Sequence, residues 1–493
     1  MWMCVLVVVA TAGFCPAVAG AREHAGGTSK VRLHRKLANI VRDDFLSFAI
    51  DDGIAKKDWE HLDLSSERLK SLVRGLLPAV LRFGGTQADC LIFQQDVSLF
   101  RGTAKCAPFQ KETTPFQLTA ESWSQLSEFV SSLNLTLLFD LNALLRDPDG
   151  RWNGTNAGKV VSTLAEEGLS VVWQLGNEPN SYQHKFNYSV APETLAADFL
   201  RLRQLLGPAA QLVGPDVNRP KVKGQLEQQP VDMPAQLYLQ GFLPTAGAAL
   251  NAVTFHQYYF DGRTATVADF TDLRHLAVLQ RQIAAVRRVA AGAAIWLSET
   301  GSAWGGGAPG LSDAYLAGFL WLDKLGVAAR QGVQLVVRQA LYGGHYGLLN
   351  AEMRPNPDYW LSYLYKLVMG PRVLKVRVSG PETVRMYCHC GHRYLPHDSV
   401  SCFTLNLGNA PEKVRLDSSM QEGGIQYMLT PPNGNLTSRG ILCNGQLLQL
   451  EQDRLPAMPV ALLEPSTSLT LPAYSMAFQV FRRAAPRSCL LEV

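Results

Sequence analysis

Two glutamates carry the chemistry that can be read from this chain. Glu178 follows the apolar run Val171–Leu175 and the turn Gly176-Asn177-Glu178-Pro179. Pro179 cannot continue a ladder and biases Glu178 toward extended backbone. Glu299 ends a second apolar run, Ala294-Ile295-Trp296-Leu297-Ser298-Glu299-Thr300, and the loop Gly305-Gly306-Gly307 follows it. Asn-Glu-Pro alone also fits an ordinary surface loop after a strand. Two carboxylates at two strand ends say more, provided the fold brings those ends together. Glycoside hydrolysis needs such a pair, one carboxyl to protonate the leaving oxygen and one to attack or to activate water.

A parallel barrel would do this. Eight apolar strand candidates recur along the chain: Phe45–Ile50, Val80–Phe83, Leu135–Phe139, Val171–Leu175, Gln211–Val213, Ala252–Phe255, Ala294–Leu297 and Val333–Val337. Helical periodicity falls between most of them, over Ser65–Leu77, Ala120–Leu133, Ala157–Glu167, Pro192–Leu206, Val231–Leu243, Leu273–Ala291 and Ala314–Gln331. The alternation predicts an α/β fold, a (β/α)8 TIM-type barrel over residues 45–372. An open doubly wound sheet is the competing architecture, but no Gly-x-Gly-x-x-Gly follows the first strand. Polar residues gather at the strand ends, where barrel sites are built: Asp51 and Asp52, Thr86, Asp140 and Asn142, Asp216, His256 and Tyr258, Arg338 and Gln339. From Val373 onward the helical pattern gives way to short alternating runs separated by Pro and Gly, which predicts a C-terminal β-sandwich over residues 373–493.

The chain has 493 residues, 47% hydrophobic and 18% charged, which suits one large and one smaller globular domain. Its formal charge of +4 is compatible with an anionic substrate. Residues 1–19 lack charge and end in Ala17-Val18-Ala19, a signal-peptide pattern without the usual basic start; an uncleaved anchor is the alternative. Residues 20–44 form a basic segment with Lys30, Arg32, His34, Arg35 and Lys36, read as a solvated arm or as a polyanion patch. Loss of the leader removes Cys4 and Cys15 and leaves an odd number of cysteines, with no zinc-site spacing. Sequons at Asn134, Asn153, Asn187 and Asn435 fit a glycosylated secretory protein.

Longer motifs narrow the class. Leu81-Arg82-Phe83-Gly84-Gly85-Thr86, Gln174-Leu175-Gly176-Asn177-Glu178-Pro179-Asn180, Tyr258-Tyr259 with Asp261-Gly262-Arg263-Thr264-Ala265-Thr266, Glu299-Thr300 with Gly305-Gly306-Gly307-Ala308-Pro309, Trp321-Leu322-Asp323-Lys324-Leu325-Gly326 and Pro357-Asp358-Tyr359-Trp360-Leu361-Ser362 together resemble the heparanase family. The likeness runs from about Phe45 to the C-terminus. It implies a retaining endo-β-glucuronidase acting on heparan sulfate, without metal or other cofactor. Glu178 would be the acid/base and Glu299 the nucleophile. Asn177 would bond the sugar 2-hydroxyl and Tyr258 would orient the nucleophile. Gly305, Gly306 and Tyr346 would cradle the uronate carboxylate, and Asp51, Thr86, His256, Arg263 and Gly344 would make further substrate contacts, with Lys221 in a thinned basic cluster.

The resemblance also implies a Cys390–Cys489 disulfide, although Cys388, two residues away, would point to the same strand face. Its partners would be heparan sulfate, heparin and their proteoglycans at the cell surface or in the matrix, with no nucleic acid. Its location would be secreted, extracellular or lysosomal. A non-catalytic heparan sulfate binder and an exo-acting β-glucuronidase are the alternatives. The chemistry requires a protonated Glu178 and hence a raised pKa, from burial or from Glu299.

The chain departs from the family pattern at Ser298 and Gly301 beside the nucleophile, and at Trp304 where a tyrosine is usual. Only a short stretch separates Thr86 from Ala120, where the family has a long excised linker. An unprocessed chain with an open cleft, lined by Lys111 or Lys221 and Arg263, is therefore expected.

Overall fold

The computed structural model describes residues 28–100, 102–106, 113–221 and 233–490. The leader and Lys111 lie outside the described residues. Eight parallel strands close into a barrel: β2 (Leu46–Asp51), β3 (Val80–Gly84), β4 (Thr136–Leu141), β5 (Val171–Leu175), β6 (Gln211–Val217), β7 (Ala252–Gln257), β8 (Ile295–Thr300) and β9 (Val333–Arg338). Both faces of each strand are covered, which is why they read as continuous apolar runs. The helices that follow them are α1 (Glu67–Arg74), α2 (Ala120–Ser132), α3 (Thr155–Glu166), α4 (Pro192–Leu206), α5 (Ala235–Ala246), α6 (Leu273–Ala290), α7 (Ala317–Arg330) and α8 (Pro357–Val368). Helix α8 escapes the periodicity reading because its first half, Pro357–Ser362, is buried without interruption, so no polar stripe marks a helical period there.

The barrel interior is layered. Ala49, Val80, Leu138, Val172, Val213, Ala252, Trp296, Leu335 and Val337 fill one apolar floor. Two residues further along, the period of a strand places Arg82, Asp140, Gln174, Thr254 and Ser298 on the same interior face, nearer the C-terminal rim, and all five are fully or almost fully buried. The floor is a packed core, and the polar layer above it supports the site.

The C-terminal part is an eleven-stranded, mostly antiparallel sheet. Its main strands are β10 (Met369–Ser379), β11 (Val384–Gly391), β12 (Val400–Asn406), β13 (Glu412–Arg415), β14 (Gly424–Thr430), β15 (Ser468–Leu471) and β16 (Ser475–Phe481). The basic N-terminal segment is not a free arm. Thr28–Ile40 is a strand, β1, antiparallel to β10 and parallel to β13. Its alternation explains the correction: Ser29 and Val31 are buried while Lys30 and Arg32 point outward. The all-β part thus begins at Met369, directly after α8, and recruits residues from the far end of the chain. One face of the sheet buries Val31, Leu374, Val376, Val414 and Leu469 in a core of its own.

Helix α7 is wholly buried from Ala317 to Ala329 and joins the two parts. Toward the sheet, Asp323 accepts hydrogen bonds from Arg385 (2.9 Å) and Tyr387 (2.6 Å). Toward the barrel, Lys324 Nζ donates to the Gly301 carbonyl (2.6 Å) and Thr300 Oγ1 (2.5 Å), beside the nucleophile candidate. Gly326 meets the face of Tyr387; a Cβ there would lie 2.3 Å from the ring. Three disulfides are present, Cys90–Cys106, Cys388–Cys402 and Cys390–Cys489. Cys388 is directly opposite Cys402 across β11 and β12, which leaves Cys390 for Cys489. Cys443 is buried and free.

Candidate active site

Glu178 and Glu299 share the C-terminal mouth of the barrel. One carboxylate oxygen from each, and one nitrogen of His256, all lie within 4.8 Å of one another. A register irregularity in β8 after Leu297 pairs Glu299 with His256 and turns it to the same side as Ser298. Glu178 adopts φ +54 and ψ 57, a left-handed conformation instead of the extended one that Pro179 favours. Its N–H donates to the Asp216 carbonyl at 2.9 Å, and that bond helps to hold a backbone that is costly for a non-glycine residue. The two side chains retain 19% and 13% exposure, so a substrate can reach both from the mouth.

Each glutamate is held at two oxygens. The Tyr258 hydroxyl donates to Glu299 Oε1 at 2.7 Å and Arg82 donates to Oε2 at 2.8 Å. Lys185 lies 2.8 Å from Glu178 Oε2, and His256 Nδ1 lies 2.9 Å from Oε1. On its other side, His256 Nε2 is 2.8 Å from Asp216 Oδ2. Burial alone would lower the His256 pKa, but Asp216 and Glu299 outweigh it and push it up to about 10. The ring is therefore an imidazolium at neutral pH.

Glu178 shows the opposite balance from the one its role suggests. Burial would raise its pKa, yet Lys185 and then His256 hold it well below the usual carboxylate range. The expected elevation is thus corrected: Glu178 is a carboxylate, with the Lys185 ammonium at one oxygen and His256 Nδ1 at the other. The reason is the two cations, which sequence spacing does not place at Glu178.

Arg82 is the centre beneath the pair. Its fully buried guanidinium also donates to Asn177 Oδ1 (2.8 Å), Asp216 Oδ2 (2.8 Å) and Asp140 Oδ2 (3.3 Å). A buried charge survives only with such compensation. Asn177 is 2% exposed, and its N–H donates to Asp89 at 3.0 Å. Asp51 accepts from Gly53 and Gln339, each at 2.9 Å, and burial raises its pKa, with Glu299 adding to the effect. Thr86 Oγ1 accepts from Lys185 at 3.2 Å. Ser298 donates its hydroxyl to Asp216, so this departure from the family pattern supports the site.

Tyr346 stacks on Tyr258 with ring centres 6.5 Å apart. Gly305, Gly306 and Gly307 all have positive φ, between +76° and +87°, which lets their loop fold against the Gly344–Tyr346 turn; His345 N–H donates to the Gly306 carbonyl at 2.6 Å. Arg263 is less engaged with this centre. It is 74% exposed and forks onto Asp261, beside Gly305. Lys221 lies elsewhere, in a groove between α5 and α6 with Arg281 and Arg288. Trp304 is covered by the Arg219 guanidinium at 3.7 Å. Asn134, Asn153, Asn187 and Asn435 lie in loops or at element ends, where a glycan can be carried.

Arg82 and Lys185 were not singled out from sequence. An arginine inside an otherwise apolar barrel strand is a usable signal, because fully buried arginine needs partners. Lys185 leaves no such signal, since a lysine in a short helix is ordinarily solvated.

A closed parallel barrel with two carboxylates at its C-terminal mouth is an arrangement that glycoside hydrolysis uses. Residues 55–326 match the family model "Glycosyl hydrolase family 79, N-terminal domain". Heparanase of Mus musculus is 35% identical, covering 91% of this chain and 92% of its own length. Inactive heparanase-2 of Homo sapiens is 32% identical (91% and 87%), and hyaluronoglucuronidase of Hirudo nipponia is 32% identical (91% and 96%). A 4-O-α-L-rhamnosyl-β-D-glucuronidase from Fusarium oxysporum has the same fold, with a TM-score of 0.67 at 16% identity over 92% of this chain and 100% of its own. The chain belongs to glycosyl hydrolase family 79, among the heparanases.

Proposed function

We propose that the protein is a retaining endo-β-glucuronidase that cleaves internal glucuronide linkages of heparan sulfate. The observation that carries this reading is the approach of the two glutamates. Carboxylate oxygens within 4.8 Å suit the roughly 5–5.5 Å pairing of retaining enzymes better than the roughly 6.5–9.5 Å separation of inverting ones. Glu299 attacks the anomeric carbon, with Arg82 and Tyr258 fixing its oxygens. The leaving oxygen takes a proton from Glu178, which is supplied in turn along the 2.9 Å bond from His256 Nδ1. The glycosyl-enzyme neutralises Glu299. Glu178 then removes a proton from water, the resulting hydroxide displaces Glu299 at the anomeric carbon, and the proton returns to the Glu178–His256 pair.

The backbone N–H groups of Gly305 and Gly306 and the Tyr346 hydroxyl receive the uronate carboxylate. The presence of both glutamates, each held at two oxygens, favours an enzyme over a non-catalytic binder. The partial exposure of both supports an unprocessed chain with an accessible cleft. Three disulfides support maturation in an oxidising, secretory compartment.

Incubation of the intact chain with heparan sulfate, hyaluronan and a small aryl glucuronide tests the reading. Internal cleavage of heparan sulfate, with a rapid fall in chain length, is expected. Release of single glucuronic acid residues from chain ends would establish the exo-acting alternative, and cleavage of hyaluronan alone would move the substrate assignment.

A further inference from the structure

The C-terminal sheet carries a second concentration of charge, on strands that are not part of the barrel. Strand register assembles it. On β1, Lys30 and Arg32 point outward; on β10, Lys375 and Arg377; on β13, Lys413 and Arg415. Arg32 is directly opposite Arg377, and Lys30 is beside Arg415. The alternate residues Val31, Leu374, Val376 and Val414 are buried in the sheet core, so all six cations occupy the outer face.

Neighbouring strands are about 4.8 Å apart and alternate residues about 6.7 Å. Each cation is therefore within one Debye length, about 8 Å at physiological salt, of the next, and their potentials add. Among the described residues, none of the six forms an ion pair with a carboxylate. Asp417, whose charge feels Arg32, accepts from the backbone N–H groups of Leu33 and Ser419.

The fold gains nothing from this arrangement. Like charges directly opposite on a sheet destabilise it. Lysines also guard sheet edges against aggregation, but β1, β10 and β13 are internal to the strand order, with β15 beyond β13. Ligand binding is the remaining use of such a grid. The outward neighbours Thr28, Ser379 and Thr470 carry hydroxyls, with no aromatic ring to stack on a base and no apolar side chain to enter a bilayer.

We propose that the outer face of β13, β1 and β10 is an accessory binding surface for a sulfated or carboxylated polysaccharide chain. For the identity of that polyanion, the proposal rests on the glucuronidase reading of the barrel mouth.

The test compares the full-length protein with R32S/R377S/R415S. Binding of a long heparin oligosaccharide is measured at several salt concentrations, in an E299Q background so that no chain is cut. The triple variant is expected to bind about tenfold or more weakly at about 0.15 M salt, with a shallower salt dependence. With Glu299 restored, its turnover of a small aryl glucuronide is expected to match the native chain, and its Tm to be equal or higher because opposed like charges are gone. Unchanged heparin affinity overturns the proposal. So does tighter binding of duplex DNA or of phosphatidylserine vesicles than of heparin, lost in the same variant. If the triple variant melts early, R377S/R415S, which leaves β1 intact, gives the same reading. Failure of the native chain to cleave any glucuronide would refute the catalytic reading and leave the binding comparison intact.

Discussion

Two wholly buried histidines show how differently the barrel mouth and the sheet treat charge. His256 sits among Asp216, Glu178 and Glu299; although burial opposes it, the carboxylates push its pKa up to about 10. His389, in β11, has only the Gly370 carbonyl at 2.7 Å, and burial lowers its pKa to about 4. The same side chain, equally dry, is a cation in one place and neutral in the other. The mouth concentrates buried charge and compensates it through Arg82, Lys185 and Asp216. The sheet excludes charge from its core, closes itself with two disulfides and displays its cations outside. Buried charge costs stability unless its partners are in place, so a region that keeps so much of it is organised for chemistry.

The comparison can be broken first at the nucleophile. Glu299→Gln should lower kcat/KM roughly 10⁴-fold or more with little loss of folding, measured with an aryl glucuronide; activity within tenfold of native would remove Glu299 from the mechanism. Glu178→Gln should cost about 10²–10⁴-fold, with the smaller loss on substrates whose leaving group needs no proton. Arg82→Met should destabilise by about 3–5 kcal/mol in denaturant melts, because Glu299 and Asp216 lose their shared buried partner. In the sheet, C390S/C489S opens a crosslink of sequence separation 99; a loss of about 2–4 kcal/mol is expected, with barrel turnover retained at low temperature.

The smallest effect sharpens the contrast by its sign. His256 has a folded pKa above its unfolded value, so its contribution is complete below about pH 6.5 and disappears as pH rises through about 10. His389 has a folded pKa below the unfolded value; its contribution is complete above about pH 6.5 and falls away toward about pH 4, by at most about 3 kcal/mol. His389→Gln should flatten the acid limb of a Tm–pH curve and leave the alkaline limb unchanged, while His256→Gln should do the reverse.

The barrel was legible because its strands are fully apolar and its helices amphipathic; all eight strand positions can be read from residue pattern alone. Both glutamates were legible because each interrupts an apolar run. What lay hidden was pairing across distance. The Lys185–Glu178 contact and the Asp216–His256–Glu178 chain join β5, β6, β7 and a short helix, and no local pattern encodes their distances. The raised Glu178 pKa failed as an expectation for that reason, since it counted burial and one anion but neither cation. Strand β1 was hidden because its partner begins at Met369, and Ser29 and Val31 are too few inward residues to stand out among five basic ones.

The central claim is that Glu299 attacks carbon while Glu178, fed by His256, handles the proton. The most direct test is the anomeric configuration of the first product, followed by proton NMR in the first seconds of hydrolysis of a β-glucuronide by the intact chain. A retaining pair predicts that the β-anomer appears first and then mutarotates. Initial appearance of the α-anomer would contradict the account, because it would mean that water, and not Glu299, attacks the anomeric carbon of the substrate.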